Sequence, residues 1–513
     1  MAAASVPTFL LAYCLLSIIS SLVASAQLVD QTSGLQQSLG TNTACHLLAA
    51  TFRNRVLFPG DDKYAISPHG YWAAQQTELK PACRFYPRDA KDVQQALADV
   101  IIPSNASIAV SSGGHSSNQG ASNIDRGITF DLSQMNQVRM VPLAVEIGPG
   151  AQWQHVYETL EQKHGLTMFG GRVGNIAAGG YILGGGFSWF ANQYGWACDG
   201  VLKFQIVTPN AEILWVDAKR HEDLFWALKG SLGAFGIVTK FEVKVIGNSP
   251  VYGGAMSYEA QHFPRLCETL ERLALNAPSD LTTQGYLSFA WVEAQKQFVY
   301  TAYLLNTEGN AKSEGIVAFE ALPRVSGNLR TMNISESAKE IDKNNPLGLR
   351  RSKFTYTSKL DTKAMAAVHD IITSFAKSGG FDHDSTLGVS LQPLTVPHLQ
   401  ASREASRETG GNIFTSLTRA DGPLLLISVE FWWSDPSKDE HFDKSTELLK
   451  RELRAKLTEL GVFHDWIYPN YASMSQDPFK SMTPQALKTL KDIKKKYDPD
   501  DRWRTVNPGT WHV

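Results

Sequence analysis

The spacing of apolar positions changes along this chain, and each change marks an element. Ala90 to Val100 reads as a helix: Val93, Ala96, Leu97 and Val100 recur at helical spacing, with Asp89 as the N-cap. An earlier helical start lies at Cys45 to Phe52. Short strand-like runs follow the first long helix. Ser107 to Val110 halts at Ser111-Ser112-Gly113-Gly114, Ile128 to Leu132 alternates, and Val145 to Gly148 ends in glycine. Trp153 to Lys163 returns to a helical pattern. Phe204 to Thr208 and Ile213 to Val216 flank Pro209-Asn210-Ala211 as a hairpin-like pair. His221 to Leu228 is helical, and Phe235 to Val245 is strand-rich.

A second region opens at Asn248-Ser249-Pro250. It carries longer strand candidates, Gly285 to Val292, Gln297 to Leu305, Leu387 to Leu391 and Leu424 to Trp433. Helices separate them, at Phe263 to Leu275, Lys363 to Ser378 and Asp439 to Leu460. Strands divided by helices predict one sheet covered on a single side, its other face left for a ligand. A tail after Tyr468 holds a helix at Pro484 to Tyr497 and a closing Asp498-Pro499 turn. No internal repeat is visible. The expectation is an α+β chain of two lobes, residues 27–248 and 249–465, with a C-terminal segment, 466–513, returning to the first lobe.

The first residues read differently. Phe9 to Ala24 is an apolar run followed by Ala24-Ser25-Ala26, the pattern of a signal peptide spanning residues 1–26 and cut before Gln27. The competing reading is a membrane anchor, against which the run is short of the ~20 residues that span a bilayer. A secreted or secretory-lumen protein with no stable membrane insertion is the expectation. Removal of the leader removes Cys14 and leaves Cys45, Cys83, Cys198 and Cys267. An oxidising compartment permits disulfides. Cys45–Cys83 is the preferred pair because both lie early in the mature chain, with two separate buried thiols as the alternative. Asn105-Ala106-Ser107 and Asn333-Ile334-Ser335 are glycosylation sequons. The formal net charge is −2, which gives no case for nucleic-acid binding. Twelve Trp and forty Gly suit a loop-rich enzyme with a flat ligand better than a coiled coil or a disordered chain. Lys494-Lys495-Lys496 reads as a solvated helix end.

The chemistry is concentrated in Gly170-Gly171-Arg172-Val173-Gly174-Asn175-Ile176-Ala177-Ala178-Gly179-Gly180-Tyr181-Ile182-Leu183-Gly184-Gly185-Gly186. Glycine lets backbone N–H groups approach an anion and form a concave nest. A Rossmann fingerprint would need a strand, then Gly-x-Gly-x-x-Gly opening a helix, then an acidic residue ~20 positions on. That layout is missing, and so is the Gly-Lys-Ser/Thr ending of a P-loop. Alone, the run is equally a tight structural loop. It is joined by Ser112-Gly113-Gly114-His115-Ser116 upstream, and by His221 to Gly230 and Gly236-Ile237-Val238-Thr239 downstream.

These four blocks, in this order, resemble the FAD-linked oxidases of the vanillyl-alcohol-oxidase and p-cresol-methylhydroxylase fold, and within it the berberine-bridge-enzyme-like proteins, especially fungal ones of secondary metabolism. The tail residues Asn470-Tyr471-Ala472 fit the same resemblance. It implies an FAD-binding PCMH-type domain, a substrate domain with a helix-covered antiparallel sheet, and covalent attachment of FAD through His115. Gly113, Gly114 and Ser116 accompany that histidine. Gly179, Gly180, Gly184, Gly185 and Gly186 are expected along the cofactor, with the last three at its pyrophosphate. Ile237 and Val238 are expected at the adenosine half, and Asn470 and Tyr471 reach back to the flavin. Many relatives carry a cysteine where this chain has Val173, which cannot form a thioether, so a single link is expected. Ser111 replaces an Arg frequent in the family. Ile176 falls at the position that gates oxygen, where a bulkier aliphatic puts dioxygen as acceptor in doubt. Tyr471 and Glu430 are the candidate catalytic residues. Glu430 is either a buried carboxylate or an outward-facing residue on an alternating strand, and Tyr286 and Gln392 sit on or beside strands of the same region. The implied activity is oxidation of a small organic substrate with dioxygen as acceptor. The alternatives are a dehydrogenase with another acceptor, a flavin-pocket cyclase acting on a polyene, or a redox-silent binding protein. No metal and no protein partner are indicated.

Overall fold

Two antiparallel hydrogen-bonding systems and one mixed sheet organise the chain in the computed structural model, which describes residues 40–64, 70–379, 381, 383–417 and 421–513. The leader therefore lies outside the described residues. A four-stranded mixed sheet runs Val56–Leu57, Cys83–Phe85, Ile128–Asp131, Ile108–Ser111. The helix at 40–51 is tied to it by the Cys45–Cys83 disulfide, whose Cα atoms are 5.9 Å apart, while Cys198 and Cys267 are buried free thiols. Asp89 caps the next helix, its side chain accepting from the N–H groups of Lys91 and Asp92. The sequence predicts one helix to Val100. The structure gives Ala90–Ala96, then a wider π turn at Leu97–Ile101, then Ile102–Ser104. Pro103, without an N–H to donate, stands just beyond the widened turn.

A second, five-stranded antiparallel sheet has the order Val138–Val141, Ala144–Ile147, Ile237–Lys244, Val201–Val207, Ile213–Asp217. The predicted hairpin is its Val201–Val207/Ile213–Asp217 edge pair. The third sheet is the large one, nine-stranded and antiparallel, with Leu424–Trp433 between Thr386–Leu394 and Arg350–Lys359. Period-two alternation assigns its faces. Leu425, Ile427, Val429, Phe431 and Trp433 share one buried core with Phe354, Tyr356 and the helices Phe263–Asn276, Thr362–Lys377 and Asp439–Glu459. Burial of each such side chain is worth about 1.5–3 kcal/mol. The opposite face carries Glu430 and Lys353 into a cavity shared with the first two sheets. The helix-covered sheet with one face open to a ligand is thus as predicted.

Two long strands, Val251–Tyr258 and Arg350–Lys359, and several short ones such as Val138–Val141 escaped the sequence pattern. The second hides because Arg350, Arg351 and Lys353 obscure its alternation. The tail helix Pro484–Tyr497 is as expected, capped by the Thr483 side chain. It docks back on the first lobe, where the Tyr497 hydroxyl donates to Asp223 at 3.0 Å and Trp503 Nε1 to Gly233 O at 2.7 Å. The lysines at its end are not simply solvated. Lys494 is buried and paired with Asp501, and Lys496 reaches Asp223. Asn105 and Asn333, the sequon asparagines, are both exposed. Among the described residues no helix is long and apolar enough to cross a membrane, and no cluster of metal-ligating side chains occurs.

Candidate active site

The loop after strand Ile108–Ser111 must pass close to other backbone. A Cβ on Gly113 would come within 2.7 Å of the Ala177 Cβ, and Gly114 has φ +65° with Gly70 O 2.7 Å from where a Cβ would stand. Only glycine accommodates both demands without strain. His115 follows, its ring stacked on Trp72 with centroids 4.6 Å apart and planes at 17°. Trp72 Nε1 donates to Asn345 Oδ1 at 2.7 Å, and Asn345 Nδ2 stands 3.2 Å from His115 Nε2. An indole N–H is a donor only, so it fixes the Asn345 carbonyl toward Trp72 and turns the amide N–H toward the imidazole. Nε2 must then hold a lone pair, leaving any ring proton on Nδ1. Burial, followed by the charges of Lys353 and Arg351, pushes the imidazole pKa down to about 3. The ring is therefore neutral at ordinary pH.

The second glycine block approaches the first from the other side. Gly170 and Gly171 let the chain lie on the Trp153 ring, where a Cβ would fall 2.3–2.4 Å from ring atoms. Tyr157 and Tyr181 donate to the carbonyls of Gly171 and Gly170 at 2.8 and 3.1 Å. A Cβ on Gly179 would meet Ser112 Oγ at 2.3 Å, which locks the two glycine loops together, while Gly180 faces open space.

Both loops line one cavity of about 370 Å³. Gly113, Gly114, His115, Ser116, Ile176, Gly179, Gly180, Ile237, Val238, Glu430, Asn470 and Tyr471 all contribute to its wall. Residues predicted from five separate stretches are thus brought together. Gly184, Gly185 and Gly186 are the exception and do not line it. A Cβ there would meet Asn470 Oδ1, the Phe414 ring and the Tyr181 ring, at 2.0, 2.7 and 2.5 Å respectively. These glycines serve side-chain packing behind the wall.

The tail supplies the far wall. Asn470 Nδ2 donates to Tyr181 O at 3.0 Å. Asn118, just after His115, donates to Ala472 O at 3.1 Å and accepts from Met474 N at 3.1 Å. Tyr471 is flanked by two cations: Lys353 Nζ lies 3.9 Å from its ring centroid, and Arg172 Nη2 donates to its oxygen at 3.2 Å. Because that oxygen already accepts from Arg172, the phenolic proton is free to point elsewhere. Glu430 faces the cavity but is engaged by Arg351, whose side chain is 0% exposed. Arg351 also packs over Trp72 and Trp432, with distances of 4.1 and 4.7 Å to the ring centroids. Tyr286 stacks on Tyr303 at 4.7 Å, and Gln392 accepts from Arg172.

Sequence reasoning missed Trp72, Asn345, Arg351 and Lys353, and gave Arg172 no role. Arg172 stood inside the glycine block and could have been singled out as its one charge. The others lie outside any motif.

Two glycine loops locked against each other wall the cavity, and a neutral imidazole held by Asn345 stands on the same wall. Fold and site together define an FAD-linked oxidoreductase. Comparison with known proteins gives the family. A family profile described as an FAD binding domain matches residues 81–217. An FAD-dependent monooxygenase of Cochliobolus heterostrophus is 30% identical over 466 residues, 86% of each chain. The 6-hydroxy-D-nicotine oxidase of Arthrobacter nicotinovorans has a TM-score of 0.71 at 21% identity, covering 89% of this chain and 98% of its own. Berberine bridge enzyme of Eschscholzia californica has a TM-score of 0.69 at 15% identity, covering 90% and 97%. The chain belongs to the family of FAD-linked oxidoreductases that includes this fungal FAD-dependent monooxygenase, and it has the fold of 6-hydroxy-D-nicotine oxidase and berberine bridge enzyme.

Proposed function

We propose that this protein oxidises a small organic secondary metabolite, with FAD held in the cavity through a single covalent link to His115. When bound, FAD supplies the acceptor for a hydride leaving the substrate carbon. The carrying observation is the convergence of His115, two glycine loops and the Asn470-Tyr471 tail on one cavity wall. His115 is suited to the link because it is neutral and oriented by Asn345 and Trp72. Val173 lines the cavity and offers no second attachment. The cradle of the cofactor is assigned to Gly113, Gly114, Ser116, Gly179 and Gly180, with Ile237 and Val238 at its other half. Tyr471 is assigned to the proton of the reacting substrate oxygen or nitrogen. Its hydroxyl orientation is set by Arg172, so it can exchange a proton with an occupant of the cavity. Glu430 is assigned to hold Arg351 rather than to move a proton, since its carboxylate is already engaged.

Dioxygen is the proposed acceptor, giving hydrogen peroxide. The naming of relatives as monooxygenases and oxidases supports dioxygen as co-substrate. Ile176, whose branched side chain lines the cavity, favours a second reading in which another acceptor takes the electrons. Oxygen uptake by the photoreduced protein separates the two. Secretion, with carbohydrate at Asn105 and Asn333, is part of the proposal and is supported by the disulfide and by the exposure of both asparagines. The decisive test is the visible spectrum before and after acid precipitation. Yellow colour should stay with the pellet, and His115→Ala should release it to the supernatant. A colourless preparation from riboflavin-replete cells would overturn the reading.

A further inference from the structure

Arg172 leaves the Gly170-Gly171 turn and lays its guanidinium among rings, 4.7 Å from the Tyr286 centroid, 5.2 Å from Phe187 and 5.4 Å from Trp189. Its Nη2 is spent on Gln392 Oε1 and the Tyr471 oxygen. A guanidinium has five N–H donors, and among the described residues no carboxylate stands within ion-pair distance of this one. The carboxylate on the same cavity wall, Glu430, is taken by Arg351. Lys353 adds a second cation to the wall, over the other face of the site at Tyr471. The lining therefore carries more positive than negative charge.

Unpaired donors surround Arg172. Gln392, 3% exposed, gives its carbonyl oxygen to Arg172 and leaves Nε2 without an acceptor. Trp189, 5% exposed, leaves Nε1 without one as well. Buried donors are almost always satisfied, and exceptions call for a partner. Arg172 lines the cavity with donors beyond the one spent on Gln392 and Tyr471, and two neutral donors without acceptors stand beside it behind the wall, a set that complements an oxygen anion. The fork of a guanidinium matches a carboxylate or a delocalised oxyanion better than a point charge would. The ring faces around it suit a planar, aromatic ligand body.

We propose that Arg172, Gln392 and Trp189 form a subsite for an anionic oxygen of the substrate, a carboxylate or an ionised phenol, on a flat aromatic frame. This rests on the reading of the cavity as the substrate pocket of an FAD oxidoreductase. The ligand's charge fixes its register, so that the carbon to be oxidised is presented from one end only.

The test is titration calorimetry of the purified holoprotein with two anions and their neutral counterparts: benzoate against benzamide, and 4-nitrophenol, ionised at mildly alkaline pH, against 4-nitroanisole. At least one anion should bind about tenfold or more tightly than its neutral counterpart, and which one does so identifies the source of the oxygen. Arg172→Gln should erase that preference, and Arg172→Lys should keep part of it. Equal binding of anion and neutral counterpart in both pairs overturns the proposal, as does a preference that survives Arg172→Gln. If Arg172→Gln does not fold, Trp189→Phe and Gln392→Leu decide: anion affinity falls several-fold in each, or the proposal fails. A drop in flavin midpoint potential on Arg172→Gln with anion affinity unchanged would assign the guanidinium to the cofactor and overturn it too. The visible spectrum of the same samples keeps the two readings apart. Colourless protein that still prefers benzoate sinks the cofactor assignment alone, and yellow protein blind to charge sinks this one alone.

Discussion

Replacement of Glu430 probes how the cavity wall is held together and distinguishes a counter-ion from a proton carrier. Arg351 has a side chain 0% exposed, and its carboxylate partner, Glu430, is 16% exposed. Two carbonyls, Trp72 O and Pro346 O, also accept from the guanidinium. Removal of one member of a buried pair typically costs about 3–5 kcal/mol, because the other charge is left uncompensated. Here the two carbonyls remain and Glu430 opens on the cavity, so about 2–3 kcal/mol is expected for Glu430→Ala. Glu430→Gln should cost less, since its amide oxygen still accepts. At roughly 2–4 °C per kcal/mol for a unit of ~150–250 residues, Glu430→Ala should melt roughly 4–12 °C lower by flavin fluorescence. Turnover of Glu430→Gln should stay within about tenfold of the parent, because the proton is handled elsewhere. Arg351→Met combined with Glu430→Leu should recover most of the lost stability, since neither charge is then stranded. The reasoning is refuted if Glu430→Gln melts with the parent protein while turnover falls more than a hundredfold. That pattern would make the carboxylate a catalytic group.

Three further outcomes follow from the geometry. Asn345→Leu removes the donor to His115 Nε2, so the share of flavin that survives acid precipitation should fall. Trp72→Phe deletes the N–H that orients Asn345 and also shrinks the ring stacked on His115, so it should lower the share as well; an unchanged share in both would dismiss the tautomer argument. Gly114→Ala places a Cβ 2.7 Å from Gly70 O at φ +65°. The left-handed conformation alone costs about 1–2 kcal/mol, so both the melting temperature and the flavin-to-protein absorbance ratio should drop. His398 is 0% exposed with no partner on either ring nitrogen, and burial pushes its pKa down to about 3. The unfolded chain takes the proton first, near pH ~6.5. The stabilisation is therefore complete above that pH and is lost as pH falls from there toward 3. About 2 kcal/mol should be gone at pH 5 relative to pH 7, and His398→Leu should show a urea midpoint correspondingly less sensitive to that change.

Local patterns revealed much of this molecule because they are local in their physics. Asp89 caps its helix through its own side chain and the next N–H groups, and Leu424 to Trp433 alternates because one face meets helices. The glycine blocks were legible for a related reason: positions where a Cβ would strike Ala177 or Trp153 admit little else. The strand Arg350–Lys359 was not legible, because Arg350 and Arg351 are buried in ion pairs and Lys353 faces the cavity. An alternation rule that expects charge outside cannot see charges held inside.

The amino-acid order alone therefore determined most element types and the α+β class, since these depend on neighbours a few positions away, while His115 was singled out by the family resemblance that its glycine block carries. Only the tertiary structure decided that Gly184 to Gly186 pack side chains instead of lining the cavity, that Glu430 is bound to Arg351, and that Asn345, from 230 residues downstream, governs which nitrogen of His115 is free. Those outcomes depend on which distant side chain arrives opposite. Chain folding sets that distance, and no spacing along the sequence records it.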